Sequence, residues 1–311
     1  MKHRSPCPEL GTHALLDTQR IPMSDRRVQS GSVRGFTLVE MIVVIGVVAV
    51  LMAILLPALL GARSSARKAD ELSSIRQVGA AWANYIDYAK NRLLPGYLEP
   101  QVQEAWRVSY KIAYDGSEVP RSDAAPYPWR LLPYLSNQHV MVLSPRHTLT
   151  DDPRSQLTSI AYEPAFGYNA LYLGGWYERV EADGRPTVRF ELSNTIAWTF
   201  NAIRVAEQQV VFASSTVKNG GLSFDGMEDN AAGSHFVVPP TVAQTPQWTA
   251  SGAAITVVQG GPGAPVPAGR YTSQIAVVFA DGHVNAEGAG ALFDQRKWIP
   301  VADRADYTHV P

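Results

Sequence analysis

Cysteine is nearly absent: the 311-residue chain has one, Cys7, close to its start. Everything after it therefore lacks the sulfur for a disulfide framework or a Cys-based zinc site, and must be held by an apolar core. With 46% hydrophobic residues the chain can supply one. Neither sign of charge is in excess. A formal net charge of −1 leaves no basic footprint for nucleic acid and no acidic tail. The usual marks of catalysis are missing too. There is no P-loop, no dinucleotide fingerprint and no His-Glu-x-x-His helix. Ser214, Ser215, Asp225 and His235 can be arranged into a hydrolase triad on paper, but no Gly-x-Ser-x-Gly elbow frames either serine. No period repeats along the chain, and the composition points away from an enzyme.

What the chain does have is one long apolar run, preceded by a polar head. From Met41 to Leu60 twenty consecutive residues carry no charge. As a helix rising about 1.5 Å per residue, this run spans roughly 30 Å, the thickness of a bilayer core. It is too long for a cleavable secretory signal, and Arg63, Arg67 and Lys68 follow it in place of a small-residue cleavage site. Residues 1 to 35 hold six Lys or Arg against three acids, leaving 21 bases against 25 acids beyond. That bias predicts a cytoplasmic head and an exported C-terminal part. Pro57 lies inside the run and removes a helical donor, so a kink is expected there. Whether the kink serves packing or is merely tolerated is open.

Glu40 is harder to explain as part of a plain anchor. A carboxylate at the mouth of a membrane helix costs free energy unless it finds a partner or snorkels to the interface. Its neighbours suggest more. Gly35 is followed by Phe36, Thr37, Leu38, Val39 and Glu40, opening the apolar helix. This resembles the processing site of type IV pilins and type II secretion pseudopilins, residue by residue over Gly35 to Glu40. The resemblance implies a membrane prepilin peptidase that cuts between Gly35 and Phe36 and methylates the new amine. Phe36 would become the mature first residue. Glu40 would then pair with the Phe36 amine of a neighbouring subunit, so that both charges are satisfied only in an assembled array. The leader of 35 residues is long for that family, and Met23 is an alternative start that would shorten it to thirteen.

Beyond the bilayer Ala62, Ala66, Ala69, Leu72, Ile75, Val78, Trp82, Tyr85 and Ala89 recur at helical spacing, and Leu94-Pro95-Gly96 reads as a stop. The expectation is one helix over about 37 to 92, its first half in the membrane (about 41–60) and its second half laid on a globular domain over 93–311. Strand-like runs follow at His139–Leu143, Pro186–Glu191, Thr195–Phe200, Gln209–Ala213, Ala253–Gln259 and Gln274–Phe279. A long helix followed by an antiparallel sheet gives an α+β class, pilin-like in its layout. "FADGHV" (279–284) reads as an Asp-Gly hairpin turn.

Two C-terminal stretches, "EQQVVFASSTV" (207–217) and "RYTSQIAVVFADGHVNAE" (270–287), resemble the tail of the planctomycete-type pilin-like family. Asp281-Gly282 stands where that family has its Asp-Gly, with Tyr271 in place of its histidine and Ser144-Pro145 in place of its Cys-Pro. No cofactor is expected. Calcium is the one candidate metal, since some pseudopilins bind it with loop carboxylates, and Asp225, Glu228 and Asp229 offer suitable oxygens. Their spacing fits no EF-hand, and a solvated acidic loop accounts for them better. His139, His147 and His309 stand alone and suggest no site.

The resemblance thus implies a structural subunit, minor by its size, of a type IV pilus or secretion pseudopilus. Its partners would be the peptidase, other subunits and an inner-membrane assembly platform. Its place would be the inner membrane, N-terminus cytoplasmic, C-terminal domain periplasmic. The alternative is a membrane-anchored envelope domain that binds a ligand or partner and never polymerises.

Overall fold

The computed structural model describes residues 35–112, 116–135, 153–189, 194–216, 233–242, 244–251, 254–258, 265–270 and 274–307. The chain divides into two units, residues 1–55 and 56–311. In the first, the described part is a short extended lead-in and the start of helix α1 (Leu38–Tyr88). Its large apolar side chains from Leu38 onward are exposed. α1 is the one described helix long and apolar enough to cross a membrane, and the helix continues through Pro57.

In the second unit the rest of α1 packs on an antiparallel sheet, giving the expected α+β arrangement. Burial on α1 begins at Glu71 and takes in Ile75, Val78, Trp82 and Ile86, while Ala62, Ala66 and Ala69 stay exposed. Gly79 touches the sheet: a Cβ there would meet Val278 Cγ2 at 2.6 Å, so the glycine permits the close approach. The helix ends at Tyr88, earlier than the Leu94-Pro95-Gly96 signal suggested. Lys90 and Asn91 take left-handed conformations (φ 53° and 71°), and the Asn91 N–H closes the helix on the Ile86 carbonyl at 2.9 Å.

The twelve described strands are β1 (Tyr97–Leu98), β2 (Phe166–Tyr168), β3 (Trp176–Val180), β4 (Pro186–Val188), β5 (Val210–Thr216), β6 (Thr241–Val242), β7 (Thr245–Pro246), β8 (Trp248–Ser251), β9 (Ala254–Val257), β10 (Val266–Pro267), β11 (Gln274–Phe279) and β12 (Val284–Gly288). The main sheet runs β10-β5-β11-β12, with β2 also on β5, and all its pairs are antiparallel. The position of β11 explains why its sequence is apolar from Ile275 onward. Ala276 and Val278 join the core under α1, whereas Ile275, Val277 and Phe279 join a second core with Trp248 and Trp298. A strand covered on both faces loses the in/out alternation. β1, β3 and β4 form a smaller sheet, and β6–β7 and β8–β9 are hairpins.

The expected strand at Thr195–Phe200 is not one. Its backbone is used in single bridges, Ala197 to Leu173 and Thr199 to Arg92, and Phe200–Ala202 forms a 3-10 turn. His139–Leu143 lies outside the described residues. Short helices α2 (Pro100–Ala105), α3 (Pro128–Leu131) and α4 (Pro153–Tyr162) fill the edges.

Arg130, on α3, organises the turn after α1. It is buried, and its guanidinium donates to the carbonyls of Pro95 (3.0 Å), Ala125 (2.7 Å), Gly96 (3.3 Å) and Ala124 (3.4 Å). These carbonyls have lost water and need a donor. Arg130→Met is expected to destabilise the domain by about 3 kcal/mol, and Arg130→Lys to recover little, because a point ammonium cannot span four carbonyls. Urea denaturation of the detergent-solubilised chain, followed by tryptophan fluorescence, measures both.

Candidate processing and assembly site

Residues Gly35 to Thr37 precede the helix and are exposed. A Cβ built on Gly35 meets nothing within 4 Å, and Phe36 is 77% exposed. The Gly35–Phe36 bond is therefore in non-helical chain, as a substrate peptide bond must be to enter a protease site.

Thr37 and Glu40 are tied to each other. The Glu40 Oε2 accepts from the Thr37 N–H and from the Thr37 hydroxyl, each at 2.8 Å. In return the Thr37 Oγ1 accepts from the Glu40 N–H at 3.3 Å. The first helical bond, Met41 N–H to Thr37 carbonyl, is 3.2 Å long. This is a reciprocal capping box: Thr-x-x-Glu satisfies donors at a helix start that has no preceding turn to supply acceptors. The sequence carried that signal in "TLVE", directly before the apolar run, although the charge of Glu40 by itself does not reveal it.

Among known families, residues 31–56 match the prokaryotic N-terminal methylation motif. The N-terminal segment is type IV pilin-like. No curated protein and no solved structure matches the chain. A motif of this kind implies processing by a prepilin peptidase and assembly with other pilin subunits, and with the apolar helix it fits a membrane-anchored protein. It suggests a structural rather than a catalytic chain.

The two serines of the paper triad are each engaged in other bonds. The Ser214 hydroxyl donates to Oε1 of Glu71, a carboxylate buried between α1 and the sheet. Ser215 Oγ donates to the Ser234 carbonyl at 3.0 Å and accepts from the Ser234 N–H at 3.1 Å. Asp225 lies outside the described residues, as do Glu228, Asp229, Ser144, Pro145, Tyr271, His139, His147 and His309. Among the described residues no cluster of three or more His, Cys, Asp or Glu could hold a metal ion. Asp281 and His283 flank Gly282 (φ 90°) in the β11–β12 turn, paired at 2.6 Å, with the imidazole stacked on Phe279 at 4.3 Å. The stacking and the pair account for both side chains as parts of a turn.

His235 is the buried titratable group that the sequence did not single out by itself. Its Nδ1 lies 3.1 Å from the Tyr162 carbonyl, and its ring sits among Tyr97, Tyr162, Trp176 and Phe236. Burial, and secondarily the nearby Arg130 charge, lower its pKa to about 4, against the pull of the Tyr162 carbonyl. The folded state thus keeps the ring neutral where the unfolded chain protonates near pH 6.5. Below that point the unfolded chain binds the extra proton, so stability falls as pH drops from 6.5 towards 4, by about 3 kcal/mol in all. His235→Phe is expected to remove that part of the pH dependence, seen as a smaller shift of the urea midpoint between neutral and acidic buffer.

Proposed function

We propose that the chain is a structural subunit of a type IV pilus or a type II secretion pseudopilus, cut between Gly35 and Phe36 and assembled through its N-terminal helix. The observation that carries this reading is the register of three features in one segment: an exposed, non-helical Gly35–Phe36 bond, an acid at Glu40, and an apolar helix behind it. Neither anchoring nor catalysis requires all three at that spacing. In this reading the head stays cytoplasmic and the domain after α1 is periplasmic. Helices of successive subunits pack through their Leu, Val, Ile and Ala side chains, and an inner-membrane platform with a cytoplasmic motor lifts each subunit in. The large domain after α1 suits a minor subunit, and the resemblance of the 207–217 and 270–287 stretches to the planctomycete-type pilin-like proteins extends the reading to that family. Glu40 aligns neighbours by pairing with the new Phe36 amine, and Pro57, which removes a helical donor, lets the helix kink as it packs.

The test is the N-terminus of the native protein. Edman sequencing and intact mass of the membrane-extracted chain should give a methylated phenylalanine corresponding to Phe36. A chain that keeps its basic head would overturn the filament reading.

A further inference from the structure

A cleft of about 300 Å³ lies between the turn at 204–209 and the C-terminal segment at 296–303. That volume is at the small end of the range for ligand sites, roughly 300–1,000 Å³. Its two walls are tied to each other. The Arg204 Nη1 donates to the Val301 carbonyl at 3.2 Å, and the Gln209 Nε2 donates to the carbonyls of Lys297 (3.1 Å) and Trp298 (2.8 Å). Within the walls the Gln209 N–H closes on the Val205 carbonyl at 3.2 Å, and the Ala302 N–H on the Ile299 carbonyl at 3.0 Å. The cleft is therefore built into the fold, and a ligand need not order it.

Three polar groups on these walls have unused capacity. Gln209 is 1% exposed and lines the cleft. With Nε2 held on two carbonyls the carboxamide cannot flip, so Oε1 is fixed as an acceptor, and it receives no hydrogen bond among the described residues. A buried acceptor of this kind calls for a donor. Arg204 and Asp303 are both exposed on the same cleft, and neither forms an ion pair among the described residues. The Val301 carbonyl holds one edge of the Arg204 guanidinium and leaves the other edge open. Arg296 also lines the cleft, but Asp294 already clasps its guanidinium at 2.6 Å. Opposite charges that share a cleft and do not meet leave room for a ligand between them.

Part of the wall is apolar. Val205 is 43% exposed, one of the few large apolar side chains outside α1 that face solvent among the described residues, and Pro300 belongs to the other wall. A ligand that satisfies all of this must donate to a fixed carboxamide oxygen, bring an anion to Arg204 and a cation to Asp303, and cover a short aliphatic patch. A metal ion lacks the anion and the donor. A simple aliphatic acid lacks the cation. Both charges on one small molecule make a zwitterion.

We propose that this cleft binds a free α-amino acid with an aliphatic side chain. Its ammonium donates to Gln209 Oε1 and pairs with Asp303, its carboxylate takes the open edge of the Arg204 guanidinium, and its side chain lies on Val205 and Pro300. A guanidinium edge matches a carboxylate two bonds at a time, and the aliphatic contact removes apolar surface from water. The proposal does not depend on whether the chain enters a filament.

The test titrates the full chain in detergent with free leucine by calorimetry, beside N-acetylleucine, which lacks the cation, and leucinamide, which lacks the carboxylate. Leucine is expected to bind saturably, and each analogue about tenfold or more weakly, for the loss of one charge-assisted contact. Arg204→Gln should weaken leucine binding by about tenfold and leave leucinamide binding unchanged. Asp303→Asn should weaken leucine binding similarly and leave N-acetylleucine binding unchanged. Both side chains are exposed, so each variant should keep the wild-type urea midpoint, which is measured alongside. The proposal is overturned if leucine gives no saturable heat, or if either variant binds leucine as the wild type does. It is overturned equally if an analogue binds as tightly as leucine, in which case the cleft reads the end of a peptide chain and not a free amino acid.

Discussion

Gly35→Ala is expected to leave the protein at its full length in the membrane, basic head attached. A peptidase must bring its catalytic groups against the backbone at the bond it cuts, and a Cβ there blocks that approach. The chain itself does not object to the change. Nothing lies within 4 Å of the position that the added carbon would take. Gly35 precedes the helix, and the Thr37–Glu40 box that starts it involves neither Gly35 nor Phe36. Loss of processing in this variant therefore reports on the peptidase and not on folding. The intact mass of the extracted protein decides it: a mature-length product from Gly35→Ala would place the cut elsewhere, and with it the role assigned to Glu40. An uncut chain would still insert, since its apolar run is unaltered, and the amount in the membrane fraction should match the wild type.

How far the sequence foretold this structure depends on how local the cause is. α1 was legible because its signals are local: twenty uncharged residues, then a helical stripe. The β11–β12 hairpin was legible for the same reason, with Asp281-Gly282 supplying the positive φ that the turn needs. Positions whose state is set by distant parts of the chain were not. Thr195–Phe200 has strand-forming residues, but its partners, Leu173 and Arg92, meet it at single points and give no ladder. Glu71 reads as one of the charges between the apolar positions, yet it is buried at 3% because Ser214 on β5 meets it there. Arg130 reads as an ordinary cation in "WRLLPYL"; only the turn of Pro95 and Gly96 around its guanidinium makes it a structural centre. The ring contacts of Tyr177 with Trp106 and Trp198 are likewise invisible in one dimension, since the three residues lie on separate segments.

The capping box changes how Glu40 must be tested, because two physical roles now meet in one side chain. As a cap it accepts from the Thr37 N–H and hydroxyl within its own chain, a role worth about 1 kcal/mol to the helix start. As a counter-ion it would neutralise the Phe36 amine of a neighbour at membrane depth, where leaving one partner unpaired costs about 3–5 kcal/mol. Alanine removes both roles and cannot tell them apart. Glutamine separates them, since it closes a capping box as glutamate does but carries no charge. Glu40→Gln is therefore expected to be cut at Gly35 normally and to keep its helix start, yet to enter filaments at least about a hundredfold less than wild type, in line with a loss of 3 kcal/mol or more. Glu40→Ala should be no better. Immunoblots of sheared filaments against the membrane pool, with each variant co-expressed beside tagged wild type, give the ratio. If Glu40→Gln assembles as well as wild type while Glu40→Ala does not, the carboxylate serves its own helix and the pairing between subunits falls. If both assemble normally, neither role bears on the filament, and register between subunits must come from the apolar faces alone.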